Sequence, residues 1–433
     1  MNASHTRRRI TFPPDTDRAS LRIGLFSESF RPVQNGVTTA LLTLTTGLRG
    51  RGHRVCVFAP EHQKQIEPEL GVMRFPSFVS SLNPEYPLAY PFLPRLTLAS
   101  QFRRLRMDVV HTHTPFVLGL TGANLAISRN VPLVSTFHTL YSHYSHYAPV
   151  LPESVTVNLL EHYLLWYYNR VAEIICPSKV AANHLRNLGV TQPITVIPTG
   201  IPLPPAELID VASRRSAREQ IGVPANVPLL LYAGRLAKEK NVAHLLEIFV
   251  RLRVSVPDAM LAIAGCGPYA DELRQMAERL PCGNAIRFLG PVPRSRMDAL
   301  YAAADVFCFP SPSETQGLVI GEARAAGTPC VAVNAGGAPE TVCDGEDGFL
   351  VPPDDAEAFA FRLAQVLQNA PLREQMRESS RQNACRYTPQ RMIDQILEVY
   401  AQARLATPRR SEPFALPESR DWQAVGQAIR ERD

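Results

Sequence analysis

Twelve short runs rich in β-branched and aromatic residues alternate with helical stretches along this chain, and that alternation limits the fold more than any other feature. Six runs, at 22–28, 54–60, 108–114, 131–139, 173–178 and 194–199, form a first series. Six more, at 229–235, 259–267, 285–290, 305–311, 329–334 and 348–353, form a second. Strands alternating with helices predict parallel sheets covered on both faces, an α/β class. Between the two series Gly200-Ile201-Pro202-Leu203-Pro204-Pro205 breaks the pattern and reads as a linker. At 433 residues the chain is long enough for two domains, each with its own core.

Composition removes several function classes. Apolar residues make up 45% and charged residues 20%, the balance of a globular protein, not a disordered one. No apolar run reaches the ~18 residues that a membrane-spanning helix needs. The first twenty residues carry charge without an apolar stretch, so a loose tail is expected there in place of a secretory signal. The eight cysteines are scattered, with no CxxC and no clustered Cys/His spacing, which fits free thiols in a reducing cytoplasm. Charge is uneven: residues 1–205 hold 19 Lys/Arg against 11 Asp/Glu, a net +8, within a chain whose total is +5. A basic half opposite a slightly acidic one suggests an anionic surface or ligand for the first half.

The segment PSETQGLVIGEARAAGTP carries the sharpest chemical signal. DVFCFP (305–310) reads as a buried strand, and 318–326 as a helix opened by Gly317 and stopped by Gly327-Thr328-Pro329. Glu314 then lies where the strand emerges and Glu322 about one turn inside the helix. The backbone N–H groups of Thr315, Gln316, Gly317 and Leu318 would face outward with the positive end of the helix dipole, a setting suited to a diphosphate. A carboxylate on either side can accept hydrogen bonds from sugar hydroxyls.

This pattern resembles the E-x7-E signature of glycosyltransferase family 4, and the resemblance extends over about residues 21–400. It implies two facing Rossmann-like domains with an interdomain cleft, the GT-B type. The expected organisation is a tail at 1–20, an acceptor domain at 21–203 and a nucleotide-sugar domain at 204–385. A helix at 386–405 returns to the first domain, and a polar tail occupies 406–433. It also implies retaining transfer of a hexose from a nucleotide sugar, with Glu314 on hydroxyls of the sugar and Glu322 on the ribose diol. Arg235 and Lys240, in the GR-x4-K spacing after Gly234, would stabilise the departing diphosphate, as cations do for developing negative charge. There is no DxD motif, so neither a catalytic metal nor a cofactor is expected. Gly36, followed by Val37, opens a helix after a loop that is not GxGxxG, and the resemblance turns it toward the donor diphosphate. His138 is implied beside the hydroxymethyl end of the donor sugar, whereas His111 and His113 share a strand face and read as structural.

Donor and acceptor are read from weaker signals. After FLG the chain runs PVPRSR, with no acid before Asp298 to meet the N–H donors of guanine. Uracil, which asks only for backbone contacts around Val292, is therefore favoured, and with it UDP-glucose; GDP-mannose is the alternative. In 90–108, Phe92, Leu96, Phe102 and neighbouring apolar residues recur at helical spacing, flanked by Arg103, Arg104 and Arg106. With Tyr141 in the Tyr/His-rich segment beyond, this suggests a helix lying in an anionic membrane surface and a lipid acceptor such as diacylglycerol. The protein is then expected to be peripheral on the inner face of the cytoplasmic membrane, with no nucleic-acid partner. A soluble acceptor, a nucleotide-sugar epimerase and a non-catalytic nucleotide-sugar binder are the competing readings.

Overall fold

A computed structural model describes residues 20–62, 68–80, 83–90, 98, 102, 104–141 and 153–406. It divides into two compact units. The first comprises residues up to Pro177, Ala181–Ile197 and the chain from Met392; the second comprises Ser178–Val180 and Pro198–Arg391.

The first unit holds a seven-stranded parallel sheet in the order β3-β2-β1-β6-β7-β8-β9. Its strands are β1 (Arg22–Phe26), β2 (Arg54–Pro60), β3 (Val72–Phe75), β6 (Val109–Thr112), β7 (Leu133–Thr136), β8 (Glu173–Cys176) and β9 (Ile194–Val196). β4 (Ser77–Ser80) and β5 (Asn83–Ala89) pair antiparallel as a separate hairpin. Strand order reverses between β1 and β6, so the loops leaving the carboxyl ends of those two strands flank the switch point where ligands of such sheets collect. One face is covered by helix Gly36–Gly50 and by the final helix, whose Met392, Ile393, Ile396, Val399 and Tyr400 join the core formed by Ile23, Leu25, Leu41 and Leu44. They approach closely: a Cβ on Gly47 would stand 2.5 Å from Ile393.

The second unit has a six-stranded parallel sheet, β12-β11-β10-β13-β14-β15. Here β10 is Leu229–Ala233, β11 Met260–Ala264, β12 Ile286–Gly290, β13 Val306–Phe309, β14 Cys330–Val333 and β15 Gly348–Val351. β10, β13 and β14 are buried at every position, as strands between two helical layers must be. The switch point lies between β10 and β13, the strands that precede Arg235 and Glu314.

All twelve sequence-read strands form. β3 and the β4–β5 hairpin were not foreseen; they are short, and Pro84 and Pro87 argue against a strand in the second hairpin arm. The expected division at 203/204 also shifts. Residues 198–203 belong to the second unit, where Gln316 Oε1 accepts from Thr199 N at 2.9 Å and Gln316 Nε2 donates to Thr199 O at 3.1 Å. Ile201 N donates to Tyr387 O at 2.6 Å, and Ile201 packs with Ala325 and Ala384.

Candidate active site

In the second unit the loops after β10 and β13 bring predicted residues together. The Lys240 Nζ atom lies 2.7 Å from Glu314 Oε1, with both side chains largely covered. Arg235 is half-buried at the end of β10, and its carbonyl accepts from the Tyr232 hydroxyl at 3.1 Å. Helix Leu318–Ala325 begins where predicted. Gly317 takes φ +74°, a left-handed conformation that favours glycine, so the turn out of the Glu314 loop depends on it. Gln316 is spent inward on Thr199 and its carbonyl accepts from Thr341 Oγ1 at 2.8 Å, so its backbone N–H is what it can offer a ligand; Thr315 and Leu318 are half-buried.

Glu322 has its own surroundings. Tyr301 donates its hydroxyl proton to Glu322 Oε2 at 2.9 Å, and Arg294 approaches Oε1 at 3.6 Å while also pairing with Asp298 at 3.2 Å. Burial pushes the Glu322 carboxyl above the usual carboxylate range, and Arg294 and Tyr301 oppose that push. Val292 lines a cavity of about 360 Å3 between helices Val211–Gln220 and Arg294–Ala303. None of Arg235, Lys240, Glu314 or Glu322 lines this cavity.

Glycines unremarked in the sequence hold these loops in place. A Cβ on Gly337 would meet Thr315 O at 2.3 Å, and one on Gly336 would meet Glu314 O at 2.6 Å. The Gly337 N–H donates to Glu314 O at 2.8 Å. The NAGGAP turn after β14 therefore packs backbone to backbone beneath the Glu314 loop. Gly265 and Gly267 do the same under Gly234 and Leu236, where an added Cβ would fall 1.9 and 2.3 Å from the Gly234 and Leu236 carbonyl oxygens. The cue is a pair of small residues just past a strand end.

In the first unit Gly36 is exposed at the start of its helix, Val37 is half-buried, and Asn35 caps the helix by accepting from Thr38 N at 2.8 Å. His138 follows β7 and His113 follows β6; His113 Nδ1 and His138 Nε2 are 3.0 Å apart. The His111 and His113 rings stack with centroids 4.2 Å apart. Burial drives all three imidazoles toward the neutral form: His111 down to about 3, His138 down to about 4 and His113 well below the ordinary value. Glu28 was missed by sequence reasoning. Its carboxylate accepts from Leu118 N at 2.5 Å and Ala89 N at 3.4 Å, and burial lifts its pKa to about 7.

A model of group 1 glycosyl transferases matches residues 213–383, and a model of glycosyltransferase family 4 matches residues 34–203. An alpha-monoglucosyldiacylglycerol synthase of Streptococcus pneumoniae is 32% identical over 319 residues, covering 72% of this chain and 71% of that protein. The chain belongs to glycosyltransferase family 4. A phosphatidyl-myo-inositol mannosyltransferase of Mycolicibacterium smegmatis is 30% identical over 392 residues, covering 88% of this chain and 93% of the relative. Among solved structures, Anabaena HepE in complex with UDP and glucose superposes with a TM-score of 0.71 at 21% identity, covering 88% of this chain and 99% of HepE. WaaG, a glycosyltransferase involved in lipopolysaccharide biosynthesis, gives 0.68 at 17% identity, with 87% and 99% covered. Those likenesses establish two Rossmann-like α/β domains of the GT-B type.

The acceptor-side expectations for this family 4 glycosyltransferase need correction. Phe102 is 3% exposed and packs with Leu98 and Leu105 in the first unit's core, so that part of the apolar stripe faces inward and not toward a membrane. Arg104 and Arg106 are exposed, and Tyr141 packs edge-on against Phe116 and Phe137. Phe92, Leu96 and Arg103 lie outside the described residues. Among the described residues no helix is long and apolar enough to cross a membrane, and no group of three or more His, Cys, Asp or Glu could hold a metal.

Proposed function

We propose that this enzyme transfers glucose from UDP-glucose, with retention of configuration, to a hydroxyl of a membrane lipid, diacylglycerol. The observation that carries the reading is the paired arrangement in the segments after β10, β12 and β13, where Lys240 meets Glu314 and Arg294 with Tyr301 meets Glu322. In the absence of donor, Lys240 and Glu314 neutralise one another. A diphosphate entering beside the helix start draws the lysine, which releases Glu314 oxygens for sugar hydroxyls. Attack from the front face lets the departing β-phosphate oxygen take the acceptor proton, so no carboxylate serves as nucleophile.

The resemblance to alpha-monoglucosyldiacylglycerol synthases of Streptococcus pneumoniae and Acholeplasma laidlawii supports the lipid acceptor. HepE, solved with UDP-glucose, supports the donor. Arg294 beside Glu322, in place of an acid that could meet guanine, favours UDP over GDP. For the membrane surface, the apolar contribution falls to the β4–β5 hairpin. There Phe78 and Tyr90 pair at 5.3 Å and are 39% and 44% exposed, in a half of the chain with excess Lys and Arg.

Mass spectrometry of products from several nucleotide sugars offered with anionic vesicles containing diacylglycerol tests the reading. Hexosyl-diacylglycerol formed from UDP-glucose is the expected product. Transfer only from GDP-mannose, or only to a soluble acceptor without vesicle binding, overturns it. Activity is expected to survive EDTA, because in this reading two side-chain cations and a helix start would neutralise the diphosphate. Complete loss restored by magnesium or manganese would show that a metal does this work. Glu322→Ala should chiefly raise the donor KM, by ~10-fold, because a ribose contact is lost equally from ground and transition states. Glu314→Ala should lower kcat as well, and normal kcat in that variant would remove Glu314 from the reacting sugar.

A further inference from the structure

His113 is 2% exposed, and its Nε2 atom meets no hydrogen-bond partner among the described residues. Its Nδ1 faces His138 Nε2 at 3.0 Å, a hydrogen-bond distance that requires one proton between the two nitrogens. Both rings are neutral, so each carries a single N–H. Two arrangements satisfy the pair. If His138 donates from Nε2, His113 must carry its own proton on Nε2, leaving a buried N–H with nothing to accept it. If His113 donates from Nδ1, its Nε2 is left as a bare lone pair. Buried N–H groups left without an acceptor are rarer in folded proteins than acceptors left without a donor. The second arrangement is therefore the stable one.

We infer that His113 is a positioning residue that fixes His138 as the Nδ1–H tautomer, so that His138 acts only as a hydrogen-bond donor, through Nδ1, and never as a base. This rests on the proposed function in placing His138 at the donor sugar. It deepens that reading, because an imidazole that can only donate suits an oxygen of the donor and leaves acceptor deprotonation to the departing phosphate. The His113 ring is itself immobilised. His111 stacks on it at 4.2 Å, and His111 is held at both nitrogens, Nδ1 2.7 Å from the Tyr400 hydroxyl and Nε2 2.7 Å from Thr136 Oγ1. Which nitrogen bears the proton is the second-neighbour choice that decides what a histidine can do.

The test is the ring 15N spectrum of the full chain labelled at histidine, recorded at neutral pH without substrate, with His138 assigned by the loss of its signals in His138→Gln. A protonated Nδ1 and a bare Nε2 on His138 are expected; the opposite pattern overturns the inference. Two variants separate hydrogen bonding from packing. His113→Asn keeps a polar donor near the Nδ1 position but shortens the side chain. His113→Phe keeps a stacking ring but has no donor. The positioning role predicts that Phe lets the His138 proton redistribute between its nitrogens and lowers kcat by ~10-fold, the lower end of what losing a histidine's orienting partner costs. The donor KM should be little changed, and Asn should retain most of the activity. A merely structural role predicts the reverse order, with Phe tolerated and His138 unaltered. Because the spectrum needs no turnover, it stands whatever the substrate proves to be. Absence of hexosyl transfer would count against the proposed function alone.

Discussion

Arg235→Ala and Lys240→Ala are each expected to lower turnover by roughly 10²–10³, the scale of removing one stabilising group from a charge that develops in the transition state. Both residues lie in the segment that follows β10, Arg235 two residues past the strand and Lys240 at the end of a 3-10 turn, beside the point where strand order reverses. The leaving diphosphate gains negative charge as the glycosidic bond breaks, and these are the two cations predicted to face it. Lys240 carries an added complication, since its removal also strands Glu314, 2.7 Å away. Combining Lys240→Ala with Glu314→Ala separates the effects: if the lysine served only to neutralise the carboxylate, the double variant would be no worse than Glu314→Ala alone. Steady-state kinetics on folded variants gives the answer. Turnover within a few-fold of the parent in either single variant would place the diphosphate elsewhere.

Asp347→Ala is expected to cost about 3–5 kcal/mol of stability, because it leaves a buried guanidinium without its counter-charge. Arg324 and Asp347 have side-chain exposures of 1% and 0%. Asp347 also accepts from Asn383 Nδ2 at 2.8 Å and Cys343 N at 2.9 Å, while Arg324 donates to Thr341 O. Arg324 is two residues from Glu322 on the same short helix, so this pair ties the helix that carries Glu322 to the turn before β15. Chemical denaturation of the variant should show a lowered midpoint, and the fraction that remains folded should keep its donor KM. Arg324→Met combined with Asp347→Leu should lose less than Asp347→Ala alone, since no charge is left uncompensated. A loss under ~1 kcal/mol in Asp347→Ala would contradict the burial argument.

The sheets were legible because strands buried on both faces leave continuous apolar runs, as in β10 and β13. β3 and the β4–β5 hairpin left no such mark, being half-exposed or interrupted by proline. The positions of Glu314 and Glu322 were legible from spacing around a strand end and a helix stop. Their partners were not. Lys240 reaches Glu314 across 74 residues of sequence, and His113 reaches His138 across 25, and neither periodicity nor composition specifies where a long side chain points. The stripe through Phe102 shows the converse limit. Helical spacing identifies an apolar face but not what covers it, and here the domain's own core does. The glycines of NAGGAP were invisible for a simpler reason: their use lies in the backbone that comes close to them.

The final helix, Pro389–Leu405, carries a consequence for how the protein comes into being. Its Ile393, Ile396, Val399 and Tyr400 cover Ile23, Leu25, Leu41 and Leu44, yet the whole of the second unit is translated between them. A chain leaving the ribosome cannot complete its first domain when that domain's strands are finished. It waits, with an oily face open, until the whole second unit has been made. That interval is where chaperones would be needed and where aggregation would begin. For the same reason no single cut yields two intact halves: a nick near residue 200 leaves the amino-terminal fragment without its last helix, to be recovered only by reassociation with the other piece.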